Sequence, residues 1–214
     1  MKAMLLAAGR GRRMGRLTDS KPKPMLRVGN KTLLEHQLDR LAKADYHDVI
    51  INTSYLGKTI QQHLCNHPTR IRFSAERKRL ETAGGIVKTL PFLGSKFLLL
   101  NSDVWCEHDL QTPNMGNALA HLILVDNPDH NSNGDFTFAQ NRLGIGAGTR
   151  LTYSGIGWFR SDFFKGISHG RRPLGPLLRQ AIKRGLVSGE HYRGRWVDVG
   201  TPERLQQVKN LQRL

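Results

Sequence analysis

The sequence has few cysteines, few acidic residues and no long apolar run. It contains 2 cysteines in 214 residues, and they do not lie in a metal-binding spacing such as Cys-x-x-Cys. This excludes a disulfide-rich scaffold and indicates a reduced, cytoplasmic protein. No apolar run approaches the roughly 20 residues of a membrane span. The apolar stretch Ala3 to Ala8 is followed by arginines rather than by a cleavage site, so we interpret it as a buried strand and not as a signal peptide.

Acidic residues are outnumbered about two to one, because 17 aspartates and glutamates face 33 lysines and arginines, for a net charge of +16. Such a charge attracts polyanions, including nucleotides, sugar phosphates and nucleic acids. Aromatic residues make up only 7% of the chain, and they do not alternate with basic residues as in RNA-binding tracts. Small phosphorylated ligands are therefore favoured over nucleic acid.

The length predicts one domain over residues 1–214. Strand and helix patterns alternate along the first half, which indicates an α/β fold with a mostly parallel central sheet between helical layers. Residues 1–110 resemble a nucleotide-binding half, and residues 111–214 a substrate half with a small substrate-facing hairpin region. The apolar patterns predict strands at 2–7, 48–52, 70–74, 97–100, 118–125, 153–159 and 196–199, and helices at 32–44, 56–64, 83–90, 173–184 and 202–212.

The first predicted strand leads directly into Gly9-Arg10-Gly11-Arg12-Arg13-Met14. Glycine backbone amides and guanidinium groups at the end of a buried strand can hold a polyphosphate. The segment is not a Walker-type loop, because no Gly-Lys-Ser/Thr follows its glycines. It is not a dinucleotide fingerprint either, because Met14 stands where the third glycine is needed. By itself the Gly-x-Gly is weak evidence for such a site, because a structural turn can also explain it.

The residues that follow make the loop specific. Leu17-Thr18 and Pro22-Lys23-Pro24 come within 16 residues of Gly9, and the chain resembles the sugar-1-phosphate nucleotidyltransferases over essentially its whole length. Further matching segments are Lys31 to Glu35, Glu81 to Gly85, Asn101 to Asp103, Ser154 to Ile156 and Asp198 to Leu205. The resemblance implies a Rossmann-like three-layer fold and the magnesium-dependent transfer of a nucleotidyl group to a sugar phosphate.

The resemblance also implies roles for individual residues. Arg13 and Lys23 would serve the triphosphate and act in catalysis, and Asp103 and Asp198 would bind Mg²⁺, for which carboxylate oxygens are suitable ligands. The prolines that flank Lys23 fix its backbone. The complete implied nucleotide-binding set is Ala8, Gly9, Gly11, Arg12, Arg13, Lys23, Glu81, Gly84 and Gly85.

Within the family, the chain is most similar to short uridylyltransferases that act on N-acetylmuramate α-1-phosphate in peptidoglycan recycling. The matching segments are Leu124 to Pro128, Gly134 to Phe136 and Val187 to Thr201. The implied substrates are UTP and the muramyl phosphate, and the implied compartment is the cytoplasm. Arg193 and Arg195 are hypothetical partners of the lactyl carboxylate. The implied sugar-binding residues are Asn101, Asp135, Gly155, Glu190, Arg193 and Arg195.

The sequence departs from the family pattern at three places, and two alternative functions are also compatible with it. Arg12 stands where relatives usually carry a small polar or acidic residue, Gly15-Arg16 replaces Arg-Pro, and Ser102 replaces a glycine beside Asp103. The first alternative is the same chemistry on another substrate, as in a mannose- or heptose-1-phosphate guanylyltransferase. The second is a non-catalytic basic domain that binds polyanions, which the high net charge suggests.

Overall fold

The computed structural model describes residues 1–140 and 142–212, and it alternates strands and helices through most of the chain. The helices are α1 (Leu33–Lys43), α2 (Gly57–His63), α3 (Glu81–Leu93), α4 (Leu174–Lys183) and α5 (Pro202–Leu211). The strands are β1 (Lys2–Ala7), β2 (Arg27–Val28), β3 (Lys31–Thr32), β4 (Asp48–Thr53), β5 (Arg70–Ala75), β6 (Lys96–Asn101), β7 (Val104–Cys106), β8 (Ala120–Val125), β9 (Phe136–Ala139), β10 (Arg142–Gly144), β11 (Arg150–Arg160), β12 (Val187–His191) and β13 (Trp196–Asp198). In this described part of the chain, no helix is long and apolar enough to cross a membrane.

Two compact units are interleaved along the sequence. Unit 1 contains residues 1–79, 100–110 and the segment from Arg195 onward. Unit 2 contains residues 80–99 and 111–194. Unit 1 is therefore assembled from three separate segments of the chain, and unit 2 from two.

Unit 1 is built on a parallel arrangement of three strands in the order β5-β4-β1. Ala3 to Ala7 pair with Val49 to Thr53, and Asp48 to Thr53 pair in turn with Arg70 to Ala75. Most residues of β1 and β4 are buried, as expected for parallel strands that are covered on both faces. The carboxyl ends of β1 and β4 therefore meet at one edge, where ligands bind to sheets of this kind.

Two short antiparallel ladders complete unit 1. Strand β2 pairs with β3, and β7 pairs with β13. A buried apolar cluster joins the glycine loop, α1, β13 and α5, and its members are Met14, Leu26, Val28, Leu33, Val197, Val199, Leu205 and Val208. Met14 occupies the position where a dinucleotide loop needs glycine, and its burial in this cluster ties the loop to the core.

Unit 2 has mixed strand pairing in the order β11-β8-β12-β10-β9. Strand β8 pairs antiparallel with β11 and parallel with β12, while the β9–β10 hairpin continues from β12. Strand β9 also pairs with Arg150 and Leu151 at the start of β11. The core contains Phe97, Phe159 and Phe164, whose rings lie 5.8–6.2 Å apart.

The structure confirms the α/β fold class, and the predicted elements agree with it to within a few residues at most boundaries. Strands β9 and β10 form a hairpin within residues 111–214, where the sequence predicts one. Four strands were missed, namely β2, β3, β7 and β12. Three of them are only two or three residues long, and β12 (Val-Ser-Gly-Glu-His) lacks a clear apolar alternation.

Helix α1 begins at a capping box that the sequence predicts. The Glu35 backbone amide donates to the Thr32 hydroxyl at 3.1 Å, and the Thr32 amide and hydroxyl each donate to the Glu35 carboxylate at 2.7 Å. Burial alone would raise the pKa of Glu35, but these hydrogen bonds and the nearby His63 together lower it to about 2. The ionised carboxylate is thus the form that stabilises the folded chain.

We expect Thr32→Ala to lower the free energy of unfolding by about 1 kcal/mol, because it removes the cap of α1. The contribution of Glu35 is present above its unfolded pKa, near 4.5, and is lost as the pH falls toward about 2. The destabilisation by Glu35→Gln should therefore shrink over this pH range. Urea unfolding curves at several pH values measure both effects.

Thr32→Ser is the matched control, because it keeps the hydroxyl that caps the helix, and it should retain most of the stability. A destabilisation by Glu35→Gln that grows as the pH falls would contradict the assigned role of the carboxylate.

Candidate active site

The end of β1 is fixed by side chains of neighbouring elements in unit 1. The Ala7 amide donates to Asn52 Oδ1 at 2.9 Å, and Asn52 Nδ2 donates to buried Glu76 at 2.8 Å. Asn52 stands where a dinucleotide-binding fold would carry its acidic residue, and here it anchors the strand instead. This anchoring gives the glycine loop a rigid starting point at Ala8 and Gly9.

The glycine loop turns sharply and exposes its arginines. Gly11 has a φ of 67°, and the 3₁₀ segment Arg12–Thr18 follows it. The Thr18 hydroxyl lies 3.2 Å from the Gly11 carbonyl oxygen, which it can reach as a donor. With Met14 buried on the inside, the side chains of Arg12 and Arg13 remain on the exposed side. The loop thus presents two guanidinium groups from a fixed backbone.

Lys23 is buried between two buried prolines. Pro22 precedes the short 3₁₀ segment Lys23–Met25, and Lys23 is only 6% exposed. Its ammonium group forms an ion pair with Oδ2 of Asp103. The motif therefore aims the lysine inward, and it compensates the carboxylate that we predict to bind metal.

Asp103 and Asp198 are brought together by the pairing of β7 with β13. Asp198 lies opposite Val104 in this ladder, and the Val199 amide donates to the Asp103 carbonyl at 2.9 Å. Two carboxylates that are 95 positions apart in the chain therefore become neighbours across two strands. Both side chains are partly exposed, so a ligand can reach them.

A pocket of about 330 Å³ opens at this point within unit 1. It contains most of the predicted phosphate-binding residues together with Asp103. Three residues of its lining were not among the predicted site residues, namely Arg10, Arg79 and Gly200. Arg10 packs over the Tyr55 ring at 5.2 Å. The lining is Leu6, Ala7, Gly9, Arg10, Gly11, Arg12, Arg13, Lys23, Pro24, Arg79, Ser102, Asp103 and Gly200.

Arg10 could have been predicted from its position inside the glycine loop, and Gly200 from its position two residues after Asp198. Arg79 precedes the Glu81 motif, but nothing in its own spacing marked it. Counting side chains, the lining carries four arginines and one lysine against a single carboxylate. A pocket with this balance favours a strongly anionic ligand.

The donor set around Asp103 and Asp198 fits magnesium. Mg²⁺ usually takes one or two protein carboxylates and completes its shell with water and substrate phosphates. Within residues 1–140 and 142–212, no group of three or more histidine, cysteine or acidic side chains forms a metal cage. Two neighbouring carboxylates beside a cationic pocket are consistent with a metal that arrives with a phosphorylated ligand.

Ser102 does not crowd these carboxylates. Its side chain is buried and donates to the Leu6 carbonyl at 2.7 Å. The hydroxyl thus ties the residue before Asp103 to β1, a bond that glycine cannot make. Asn101 ends β6 just before it and is partly buried.

Of the predicted nucleotide-binding residues outside the pocket lining, Ala8 lies in unit 1 next to Gly9, and Glu81, Gly84 and Gly85 lie in unit 2 at the start of α3. Glu81 has a φ of 62° and pairs with Arg171 at 2.9 Å. The Gly84 amide donates to the Arg172 carbonyl at 3.1 Å, and a methyl group on Gly84 would overlap the Gly170 carbonyl oxygen. Gly84 therefore has a packing reason within unit 2, and Gly85 is buried next to it.

The predicted sugar-binding residues of unit 2 already have contacts within that unit. Asp135 Oδ2 accepts from the Tyr153 amide at 2.8 Å, and Gly155 has a φ of 83° where the pairing of β11 with β8 shifts register. A carboxylate oxygen of Glu190 lies 3.7 Å from His121 Nε2. Arg193 is exposed and approaches His191.

Arg195 belongs to unit 1 and is likewise exposed. Its guanidinium pairs with Glu107 at 3.0 Å. The structure therefore gathers Arg13, Lys23, Asp103 and Asp198 in unit 1, and the sugar-binding assignments remain predictions.

Comparisons with known proteins identify relatives in sequence and in fold. An N-acetylmuramate α-1-phosphate uridylyltransferase of Neisseria meningitidis is 42% identical, over 99% of this chain and 98% of its own length. A protein of the same name from Caulobacter vibrioides is 29% identical, over 94% and 92%. A crystal structure from Bacillus anthracis, described as a candidate glucose-1-phosphate thymidylyltransferase, superposes with a TM-score of 0.87 at 20% identity, covering 100% of this chain and 95% of that one.

The nucleotidyl transferase family model matches residues 2–121. This segment contains the glycine loop, Lys23 and Asp103, which line the pocket. The chain belongs to the nucleotidyl transferase family and is a nucleotidyltransferase.

Proposed function

We propose that this enzyme transfers UMP from UTP to N-acetylmuramate α-1-phosphate and releases pyrophosphate, with Mg²⁺ as its cofactor. The product is UDP-N-acetylmuramate, which places the reaction in the cytoplasmic recycling of peptidoglycan. The full-length match to the Neisseria enzyme supports the substrate pair. The observation that carries the chemistry is the convergence of Arg13, Lys23, Asp103 and Asp198 in unit 1.

The reaction has to bring two anions together. An oxygen of the sugar phosphate attacks the α-phosphorus of the nucleotide, the bond from that phosphorus to the bridging oxygen breaks, and pyrophosphate leaves with the electron pair. The protein contributes mainly alignment and charge stabilisation, without a covalent intermediate. The exposed guanidinium groups of Arg12 and Arg13 can neutralise the triphosphate as it enters the pocket.

Lys23 and the two aspartates form the second part of the mechanism. Bound by Asp103 and Asp198, Mg²⁺ would compensate the negative charge that accumulates on the leaving pyrophosphate. The ammonium group of Lys23 is held beside Asp103 and lines the same pocket, so it is already desolvated and oriented before substrate binds. A cation prepared in this way stabilises developing charge without further reorganisation.

Gly11 makes room for this lysine. A methyl group at position 11 would lie 2.8 Å from Lys23 Cβ, and the φ of 67° is unfavourable for any other residue. The loop and the buried lysine can therefore pack together only because Gly11 has no side chain.

A substrate screen tests the proposal. We expect pyrophosphate release in the presence of Mg²⁺ with UTP and N-acetylmuramate 1-phosphate, when UTP, GTP, CTP, ATP and dTTP are crossed with muramyl, N-acetylglucosaminyl, glucosyl and mannosyl phosphates. Lys23→Ala should reduce kcat by about 100-fold or more, because it removes a preorganised cation. This variant excludes activity from a contaminating enzyme.

Turnover with GTP and mannosyl phosphate would replace the proposed substrates and keep the mechanism. If no pair reacts and the protein only binds polyanions, the chain is a non-catalytic binding domain and the proposal is wrong.

Gly11→Ala should raise the KM for UTP about tenfold or more, because the methyl group displaces Lys23 and strains the loop. Steady-state kinetics at saturating sugar phosphate measure this change.

Gly15→Ala is a matched control in the same loop. Its φ of 56° is also positive, but no atom lies within 4 Å of the new methyl group. It should cost stability by backbone strain alone and change the KM for UTP much less. Equal effects of both substitutions on KM would show that the contact with Lys23 is irrelevant.

Arg193→Ala should raise the KM for N-acetylmuramate 1-phosphate about tenfold and leave that for N-acetylglucosamine 1-phosphate nearly unchanged, because only the muramyl sugar carries the lactyl carboxylate. Arg195→Ala should have the smaller effect, since Glu107 already pairs with this guanidinium. Competition between the two sugar phosphates measures the ratio. Unchanged discrimination in both variants would refute the assignment.

A further inference from the structure

Two arginines approach the same carboxylate oxygen of Asp198 at different distances. Arg204 Nη1 lies 2.9 Å from Asp198 Oδ2, and both side chains are largely buried. Arg13 Nη2 lies 3.9 Å from that oxygen, and its side chain is 66% exposed. Arg204 therefore makes the hydrogen bond, while Arg13 remains at the edge of contact and largely accessible to a ligand.

Helix α5 delivers Arg204 from a rigid position. The Thr201 hydroxyl caps this helix by accepting from the Arg204 amide at 3.4 Å, and Pro202 occupies its first turn. Leu205 and Val208 hold the helix against the buried cluster of unit 1. The backbone of Arg204 is thus fixed on both sides, which limits the positions that its guanidinium can reach.

Gly200 leaves the space in which this contact forms. A methyl group at position 200 would overlap Arg204 Nη2 and would lie 3.0 Å from Asp198 Oδ2. The guanidinium is the end of a flexible side chain, so in Gly200→Ala it would move away from the carboxylate while the backbone stays in place. The contact between Arg204 and Asp198 therefore depends on the absence of a side chain at Gly200.

We propose that Arg204 is a positioning residue for Asp198. By holding Oδ2 it fixes the orientation of the carboxylate toward the metal, and it keeps Arg13 available to the triphosphate. The inference rests on the proposed function, because it takes Asp198 to be a metal ligand. It adds a role for Arg204 and for Gly200 that neither the glycine loop nor the aspartates reveal.

The direction in which removal of Arg204 changes metal affinity distinguishes a positioning role from a purely electrostatic role and from a purely structural one. If Arg204 only contributes positive charge, its removal strengthens cation binding, because a competing charge is lost. If it only stabilises the fold, its removal lowers the free energy of unfolding and leaves metal affinity unchanged. A positioning role predicts weaker metal binding, as is usual when a residue that orients a ligand is removed.

The experiment is a titration with Mn²⁺ as a spectroscopic substitute for Mg²⁺, followed by electron paramagnetic resonance without substrates. We expect Arg204→Ala to weaken Mn²⁺ binding by about tenfold or more. Gly200→Ala should give a similar loss, and the double variant should be no worse than Arg204→Ala, since both substitutions remove the same contact. Arg204→Lys should recover part of the Mn²⁺ affinity. If Arg204→Ala fails to fold, the Mn²⁺ affinity of Arg204→Lys is compared with that of the wild type instead.

Kinetics supply an independent readout. In Arg204→Ala the freed Oδ2 can attract Arg13, so we expect a raised KM for UTP in addition to the altered metal dependence. The matched control is Arg70→Ala, which removes another arginine–aspartate pair of unit 1, with Asp48 at 2.7 and 2.9 Å. Arg70 does not line the pocket, and its substitution should change neither value.

Unchanged or stronger Mn²⁺ binding in both Arg204→Ala and Gly200→Ala would overturn the inference. Wild-type protein that binds no Mn²⁺ would overturn it together with the proposed metal site. Failure of the substrate screen with intact Mn²⁺ binding would overturn only the proposed substrates, so the two failures can be told apart.

Discussion

The pairing of β7 with β13 is the constraint on which the arrangement of unit 1 depends. It is a ladder of only three residue pairs, but it places Asp198 beside the segment that begins at Asp103. The same ladder fixes where α5 starts, because α5 follows β13 after three residues. A substitution that weakened this short ladder would therefore displace both carboxylates and Arg204 together, whereas the loop cations belong to other elements.

Charge compensation follows from that geometry. Each aspartate already has a partner, the buried Lys23 for Asp103 and the partly buried Arg204 for Asp198. Isolated charges in a partly buried site are costly, so these partners offset the burial of two aspartates that lie beside one short ladder. The exposed arginines of the loop are left for an incoming anion. Around the pocket, Arg204 thus holds a carboxylate of the protein, Lys23 both pairs with Asp103 and lines the pocket, and the exposed Arg12 and Arg13 can meet a phosphate.

The larger elements of the fold and much of the pocket can be predicted from the sequence. The features that cannot be predicted have physical reasons. Strands such as β1 and β4 and helix α1 have local patterns long enough to identify, and the glycine loop and Lys23 were found through a motif. The ladder β7–β13 has no such pattern, because three residues cannot establish a period. The contact of Arg204 with Asp198 depends on that ladder and on the empty space at Gly200. It is a property of tertiary packing, which residue spacing does not encode.

The glycines of the motifs differ in what the absence of a side chain accommodates. A methyl group on Gly84 would overlap the Gly170 carbonyl oxygen, and Gly155 has a φ of 83° where the pairing of β11 with β8 shifts register, so each has a local structural reason within unit 2. Gly11 and Gly200 instead make room for the side chains of Lys23 and Arg204. All four belong to recognisable segments, but only the second pair acts on charged groups that contact the aspartates. Substitutions at Gly11 and Gly200 should therefore displace the cations that pair with the two aspartates. Substitutions at Gly84 and Gly155 should first disturb the backbone of unit 2.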